Sequence, residues 1–148
     1  MSITPSQISD KLTILCQASS ARLNEILDDE FSFKPSPEKW SKKEILGHLI
    51  DSAANNHQRL VRAQFETPTV FYEQNQWANL QHYQTEDREI IINLWESYNR
   101  HLAHVIKHIP TENLKKLTIG RDNSKYTLEY VIEDYLNHLQ HHLNQILN

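Results

Sequence analysis

Histidine is the residue type in this chain most suited to metal chemistry, and nine of the 148 residues are histidine. Two of them, His138 and His142, are spaced four apart in the segment NHLQHHLNQ near the C-terminus. On a helix this spacing puts both imidazoles on one face, on successive turns, where they can reach one ion. An HxxxH pair alone is a weak indication of a metal site, and a pair of packed histidines is the alternative.

A further candidate ligand, His48, lies in the segment GHLIDSAANNHQR. On a helical wheel it falls on a polar strip with Ser52, Asn55 and Arg59, beside the apolar side of the helix. Two interpretations compete: a strip that faces solvent, which the wheel favours, and the wall of a polar pocket that faces a metal ion. In the second interpretation, we expect Asn55 and Arg59 to bind an anionic cosubstrate or to polarise an electrophile.

The other histidines give weaker indications of a metal site. Three form the pattern HxxHxxxH but point away from the apolar seam of their helix, which predicts a solvated face: His101, His104 and His108. His57 lies among apolar neighbours and is predicted to pack rather than to bind metal. His141 points away from the helix face that carries His138 and His142.

Composition excludes several classes of protein. The two glycines, Gly47 and Gly120, are far apart, so there is no glycine-rich phosphate loop or dinucleotide fingerprint. A net charge of -4 is unsuited to nucleic-acid binding. Apolar runs are too short to span a membrane, and no secretory leader is expected. The single cysteine, Cys16, predicts a reducing, cytoplasmic setting and is expected to pack in the core.

Four long helices are expected to position these residues. Capping boxes at Thr4 and Ser41 predict helices over about 4–28 and 41–65. A third helix begins near 85–87 and ends before Pro110, and a fourth runs from Thr127 to the end. Between them lie a proline-broken segment, an aromatic-rich connection over 68–84, and a segment over 111–126 with turn residues typical of a short hairpin. The pattern predicts one all-α domain over 1–148, a four-helix bundle.

The histidine segments and their flanks resemble the DinB/YfiT-like family of small metalloenzymes. The similar segments are the lead-in KWSKKEILGHL, the connection YEQNQW and the terminal HxxHH. In that family a four-helix bundle holds a divalent metal through three histidines at one end. Carried over by position, the resemblance implies His48, His138 and His142 as the ligands. Where YfiT-like members often have another histidine, three residues after the last ligand, this chain has Gln145.

The chemistry implied by the resemblance is that of an open metal site. Neutral imidazoles suit Zn²⁺, Ni²⁺ or Fe²⁺, and three of them leave at least one coordination position free. We expect each ligand's other ring nitrogen to donate a hydrogen bond to a carboxylate or a carbonyl, with Asp51, Glu133 and Asp134 as nearby candidates.

The resemblance implies an enzyme that acts on a small molecule. The leading hypothesis is an S-transferase that joins a low-molecular-weight thiol cosubstrate to a small electrophile, and the second is a metal-dependent hydrolase. A stress-associated helical module whose metal site is structural or vestigial is the non-catalytic alternative. A homodimer is compatible with aromatic residues on an exposed bundle face.

Overall fold

Four long helices and two short ones follow one another along residues 3–148, the part of the chain that the computed structural model describes. The helices are α1 (Pro5–Glu25), α2 (Asp28–Ser32), α3 (Lys42–Arg62), α4 (Gln74–Leu80), α5 (Arg88–Lys107) and α6 (Leu128–Leu147). The long helices α1, α3, α5 and α6 pack against one another as a bundle, which confirms the predicted fold class. Within residues 3–148, no helix has both the length and the hydropathy that a bilayer crossing requires.

Side-chain caps set where the long helices begin. Thr4 and Ser41 each form the predicted capping box, with Gln7 and Glu44 as their partners. The Thr127 side chain accepts a hydrogen bond from the backbone N–H of Tyr130 at the start of α6. Because these contacts are local, the N-termini of α1, α3 and α6 follow directly from the sequence.

The core fills the space between the four long helices. Its buried side chains include large apolar residues from each of them: Leu12, Leu23, Leu46, Leu49, Leu60, Trp95, Leu102, Ile132, Leu139 and Leu143. On α6, Leu139 and Leu143 each directly follow a histidine, so His138 and His142 lie beside the core-facing stripe rather than opposite it. The contact between α3 and α6 therefore carries the histidines of both helices.

Two short helices were not predicted. The first long helix ends at Glu25, and a separate turn, α2, follows with three acidic residues at its start and Phe31 buried. The connection over 68–84 contains α4, which has no side-chain cap and buries Ala78. Helices of five to seven residues are too short to be stable alone, so tertiary packing decides whether they form.

The predicted hairpin is present between α5 and α6. Its strands, β1 (Leu117–Ile119) and β2 (Lys125–Thr127), pair antiparallel. Asp122 and Asn123 take left-handed backbone conformations in the turn, with φ values of 57° and 59°, whereas Gly120 does not. The segment over 68–70 bonds to the outer side of β1 through the N–H of Val70 and the carbonyl of Ile119, 2.9 Å apart, which holds the following residues beside the hairpin.

Candidate metal centre

Helices α3 and α6 bring three of the nine histidines to one point. One ring nitrogen from each of His48, His138 and His142 lies within 4.8 Å of the others. The Nε2 atoms of His48 and His138 are 3.4 Å apart. The ring of His142 is centred 4.9 Å from that of His48 and 4.5 Å from that of His138. Across residues 3–148, this is the one group of three or more histidine, cysteine or acidic side chains with such close ligand atoms.

The distance between the Nε2 atoms of His48 and His138 fits a shared divalent ion. Two imidazole nitrogens at about 2.05 Å from a tetrahedral ion lie about 3.3 Å apart. The observed Nε2–Nε2 distance of 3.4 Å is close to this value. It is also longer than a good hydrogen bond to a nitrogen donor, which spans about 2.7–3.2 Å. The donor set and its spacing therefore suit a metal better than they suit a direct contact between the two rings.

Burial keeps the three imidazoles neutral. His48 is 1% exposed, and burial, together with the neighbouring His138 and His142, lowers its pKa to about 3. Burial, followed by the charges of His142 and His141, lowers the pKa of His138 to about 4. The pKa of His142 is also lowered, mainly by burial. Each ring therefore keeps a lone pair at neutral pH, which is the form that binds metals.

Two residues to which the sequence analysis gave no role shape the site. Oε1 of Gln145 accepts a hydrogen bond from Nδ1 of His142 at 2.8 Å, which leaves Nε2 of that ring with the lone pair. The ring of Trp40 is centred 5.0 Å from that of His48. The position of Trp40 could have been predicted from the sequence. It directly precedes the cap residue Ser41, and with Ile45 it forms the pattern of a hydrophobic staple. The contact of Gln145 with His142 could have been predicted from their spacing of three residues, because residues three apart are neighbours on a helix surface.

The predicted hydrogen bond from a ligand's other ring nitrogen to a carboxylate or a carbonyl is found at His142, where the side-chain carbonyl of Gln145 is the acceptor, but none of the three candidate carboxylates takes this role. Within the described chain, His48, His138 and His142 donate to none of the three candidates Asp51, Glu133 and Asp134. Oδ1 of Asp51 instead accepts hydrogen bonds from the Tyr83 hydroxyl at 2.6 Å and from the Gln81 amide at 2.7 Å. Nδ1 of His48 is buried and has no partner among the described residues. The acceptor at His142 is therefore a carbonyl, one of the two predicted types, and it comes from a residue that was not among the candidates.

The polar strip of α3 is buried, so the solvent-facing interpretation favoured by the helical wheel was wrong. His48, Ser52 and Asn55 are each at most 3% exposed. The wheel gives only their direction relative to the apolar side of α3, whereas α6 covers this strip in the bundle. Asn55 does not line a pocket: its Nδ2 donates to the carbonyl of Asp51 at 2.9 Å.

A cavity of about 740 Å³ opens beside His142, the one of the three histidines that lines it. Its walls come from the segment over 34–40, from α4 and from the end of α6, and they include Trp40, His142 and Gln145. A small molecule in this cavity can therefore contact His142, at the edge of the histidine cluster. Arg59 lies elsewhere, in a smaller cavity of about 270 Å³. The structure thus separates the two residues that we expected to act together, Asn55 and Arg59.

A family model described as the DinB superfamily matches residues 12–146. The chain belongs to the DinB superfamily. Two relatives carry the name "Putative metal-dependent hydrolase". The one from Halalkalibacterium halodurans is 28% identical over 109 residues, which cover 72% of this chain and 63% of the relative. The one from Oceanobacillus iheyensis is 26% identical over 126 residues, which cover 84% and 72%.

Solved structures show the same fold. YfiT from Bacillus subtilis, described as "a probable metal-dependent hydrolase with an unusual four-helix bundle topology", superposes with a TM-score of 0.81. The match covers 99% of this chain and 87% of YfiT, at 22% sequence identity. Among the curated relatives, the chain spans under two thirds of the length of the H. halodurans protein.

The remaining histidines and the cysteine behave as the sequence predicted. Five histidines of this DinB protein are exposed: His82, for which the sequence predicted no role, and the four expected to point away from the core or the ligand face, His101, His104, His108 and His141. His57 packs at partial exposure, with Nδ1 at 2.8 Å from the Tyr98 hydroxyl. Cys16 is fully buried, and burial raises the pKa of its thiol to about 12. Cys16 is therefore no nucleophile, and a thiol reaction would need an added thiol.

Proposed function

We propose that this protein is a metal-dependent enzyme in which His48, His138 and His142 hold one divalent ion. The observation that carries the proposal is the meeting of three neutral imidazoles, with ring nitrogens within 4.8 Å of one another, beside a cavity that His142 lines. A structural zinc site is closed by four protein ligands, whereas a catalytic site has three and leaves a position for water or substrate. The names of the two relatives point to the same class of protein.

The protein's own residues prepare the site. A divalent ion bound there supplies Lewis acidity, which lowers the pKa of a coordinated water to about 7 or removes the proton of a coordinated thiol. Gln145 holds the His142 ring with Nε2 free, and Trp40 covers one side of His48 and keeps water from it. Because the three ligands are uncharged, the positive charge of the ion stays uncompensated and favours an anionic partner.

Within this class we propose thiol S-transfer to a small electrophile as the reaction. The cavity beside His142, at about 740 Å³, falls within the range of about 300–1,000 Å³ typical of ligand pockets and has room for a thiol and a second small molecule. The buried Cys16 cannot supply the thiol, so the thiol enters as a cosubstrate. Hydrolysis is the second candidate, and the names of the relatives favour it.

One assay separates these reactions. Metal-loaded protein is given a chromogenic aryl halide with and without glutathione or cysteine, and separately a chromogenic ester in buffer alone. Turnover of the halide that requires added thiol supports S-transfer, whereas ester turnover without thiol supports hydrolysis. The His48→Ala variant serves as the control and should be inactive in both. Absence of both activities in protein that holds one metal ion per chain would contradict the proposal.

A further inference from the structure

A second cavity, which we call the Arg59 cavity, lies between α3, α6 and the hairpin, away from the three histidines. Its volume is about 270 Å³, and its walls include Arg59, Phe71, Tyr72, Arg121, Tyr126 and Tyr130. Arg59 lies about three turns beyond His48 along α3, or about 16 Å. The metal chemistry proposed above makes no use of this cavity.

Four aromatic side chains, Phe71, Tyr72, Tyr126 and Tyr130, line the Arg59 cavity. Tyr126 and Tyr130 stack with ring centres 5.3 Å apart and planes 19° from parallel. Gly120 allows this arrangement, because a Cβ there would lie 2.9 Å from Cε2 of Tyr126. Across the cavity, the guanidinium of Arg121 lies 5.1 Å from the centre of the Phe71 ring. Flat walls of this kind suit a planar ring, which stacks on them or meets them edge-on.

One positive charge in this cavity lacks an anionic partner. Arg59 is partly buried, and in the described chain no carboxylate oxygen lies within 4.0 Å of its guanidinium. Its Nη1 donates to Oδ1 of Asn56 at 3.0 Å, and its Nη2 donates to the carbonyl of Val70 at 2.7 Å. Both acceptors are neutral, and a guanidinium has further N–H groups to donate.

The other charges near Arg59 do not neutralise it. Arg121 already pairs with Glu73, whose Oε1 is 2.9 Å from Nη1. Asp134 also lines the cavity, and its charge favours the charged form of Arg59, but it is exposed and forms no ion pair with Arg59 within 4.0 Å, so water and salt weaken the interaction. Charges removed from water are normally paired, and the partly buried Arg59 has no ion-pair partner in contact and still has N–H groups that a bound anion can take.

We propose that the Arg59 cavity binds a small planar carboxylate, an aromatic or heteroaromatic acid of about one ring. The carboxylate would accept hydrogen bonds from the free N–H groups of Arg59, and the ring would lie against Tyr126 and Tyr130. A charge-assisted, forked contact of this type is the strongest that arginine makes with a carboxylate. The volume of about 270 Å³, just under the range of drug-sized pockets, suits a ligand of this size.

Benzoate is the probe, titrated into the full-length protein and followed by calorimetry and by two-dimensional NMR. We expect saturable binding, with shifts centred on Arg59, Tyr126 and Tyr130. Benzamide keeps the ring without the charge, and acetate keeps the charge without the ring. Each should bind weaker than benzoate by about tenfold or more, since a charge-assisted hydrogen bond and a stacked ring each contribute at least that much. Benzamide binding as tightly as benzoate would overturn the proposal, as would no saturable binding of benzoate.

Variants assign the contact to this cavity. Arg59→Met should lose benzoate affinity by about tenfold or more, whereas Arg62→Met, which removes a surface arginine paired with Glu66, should leave it unchanged. Tyr130→Ala, at a half-exposed position on α6, should weaken binding as well and gives a second test if Arg59→Met fails to fold. Unchanged affinity in whichever of these two variants folds would overturn the site.

The test is independent of the metal centre. In the presence of a chelator, which removes the metal ion as a second site for an anion, His138→Ala should bind benzoate like the native chain. A failure of metal binding would therefore leave this result intact, and a failure of benzoate binding would leave the metal proposal intact. Loss of benzoate affinity in a folded His138→Ala protein would contradict the assignment of the ligand to a separate cavity.

Discussion

The orientation of the His142 ring depends on a single amide. Oε1 of Gln145 accepts the Nδ1 hydrogen of His142, which directs Nε2 toward the other two histidines. Gln145→Leu removes this acceptor, and we expect zinc affinity to fall by about 10–100-fold. Competition with a chelator of known affinity measures the change. Gln140→Leu, at an exposed position of the same helix, is the matched control, and equal affinities in the two variants would contradict the role of Gln145.

Protonation of the site histidines should make stability depend on pH. Burial lowers the pKa of His48 to about 3 and that of His138 to about 4, whereas both titrate near 6.5 in an unfolded chain. Between these values the unfolded state binds protons that the native state does not. The free energy of unfolding of the metal-free protein should therefore fall as the pH drops below about 6.5, down to about pH 3–4.

Urea unfolding between pH 7.5 and 4.5 measures this dependence. Carboxylates elsewhere in the chain contribute to the same trend, so the informative quantity is the difference between the native chain and His48→Ala. The variant lacks one of the low-pKa imidazoles and should lose less stability per pH unit. Identical pH slopes in the two proteins would contradict the burial of a neutral imidazole at position 48.

Gly47 allows the ring of Tyr83, from the segment before α5, to pack directly against α3. A Cβ at Gly47 would overlap the ring of Tyr83, which is 3% exposed and donates its hydroxyl hydrogen to Asp51. Gly47→Ala gains helix propensity of about 1 kcal/mol but must displace a packed ring. We expect a net destabilisation of about 1–3 kcal/mol, measured by thermal unfolding. The loss of stability caused by Gly47→Ala should be smaller when Tyr83 is replaced by Leu. A Gly47→Ala protein as stable as the native chain would contradict the clash with Tyr83.

The long helices could be predicted because their signals are local. Capping residues such as Thr4 and Ser41, and apolar spacing along each helix, depend only on neighbours in the chain. The short helices α2 and α4 could not, since packing rather than propensity stabilises them. The burial of His48 was missed for a related reason: one helix does not reveal which neighbour covers its polar strip. The grouping of His48 with His138 and His142 came from the family resemblance, and helical spacing alone had left it open.

The residues that line the cavities could not be predicted from local sequence patterns. Arg59 was selected as a pocket residue together with Asn55, and spacing on one helix face supported the pair. In the structure, the Asn55 amide turns to a backbone carbonyl of its own helix, and Arg59 meets the hairpin and the segment that pairs with β1. Contacts between segments so far apart in the chain are set by the tertiary arrangement, which the residue types on α3 do not encode.

Metal binding should stabilise the bundle as a whole. The ligands lie on α3 and α6, which are far apart in the chain, so only the folded protein brings them together. An ion that binds the native state alone stabilises it by about 2.7 kcal/mol at 100 times the dissociation constant. For a chain of this length, that corresponds to a rise in melting temperature of about 5–11 °C. Calorimetry with added zinc and with a chelator measures the shift. His48→Ala should show almost no shift in melting temperature. A native protein that melts at the same temperature with zinc and with the chelator would contradict an ion bound jointly by the two helices.

The most direct test of the account is the metal content of purified protein. The native chain, His48→Ala and His138→Ala are loaded with zinc, dialysed and analysed by mass spectrometry of the metal, with His141→Ala as an exposed neighbouring control. We expect about one ion per chain in the native protein and in His141→Ala, and loss of the ion in the other two variants. Retention of about one ion per chain in both His48→Ala and His138→Ala would contradict a centre built jointly by α3 and α6.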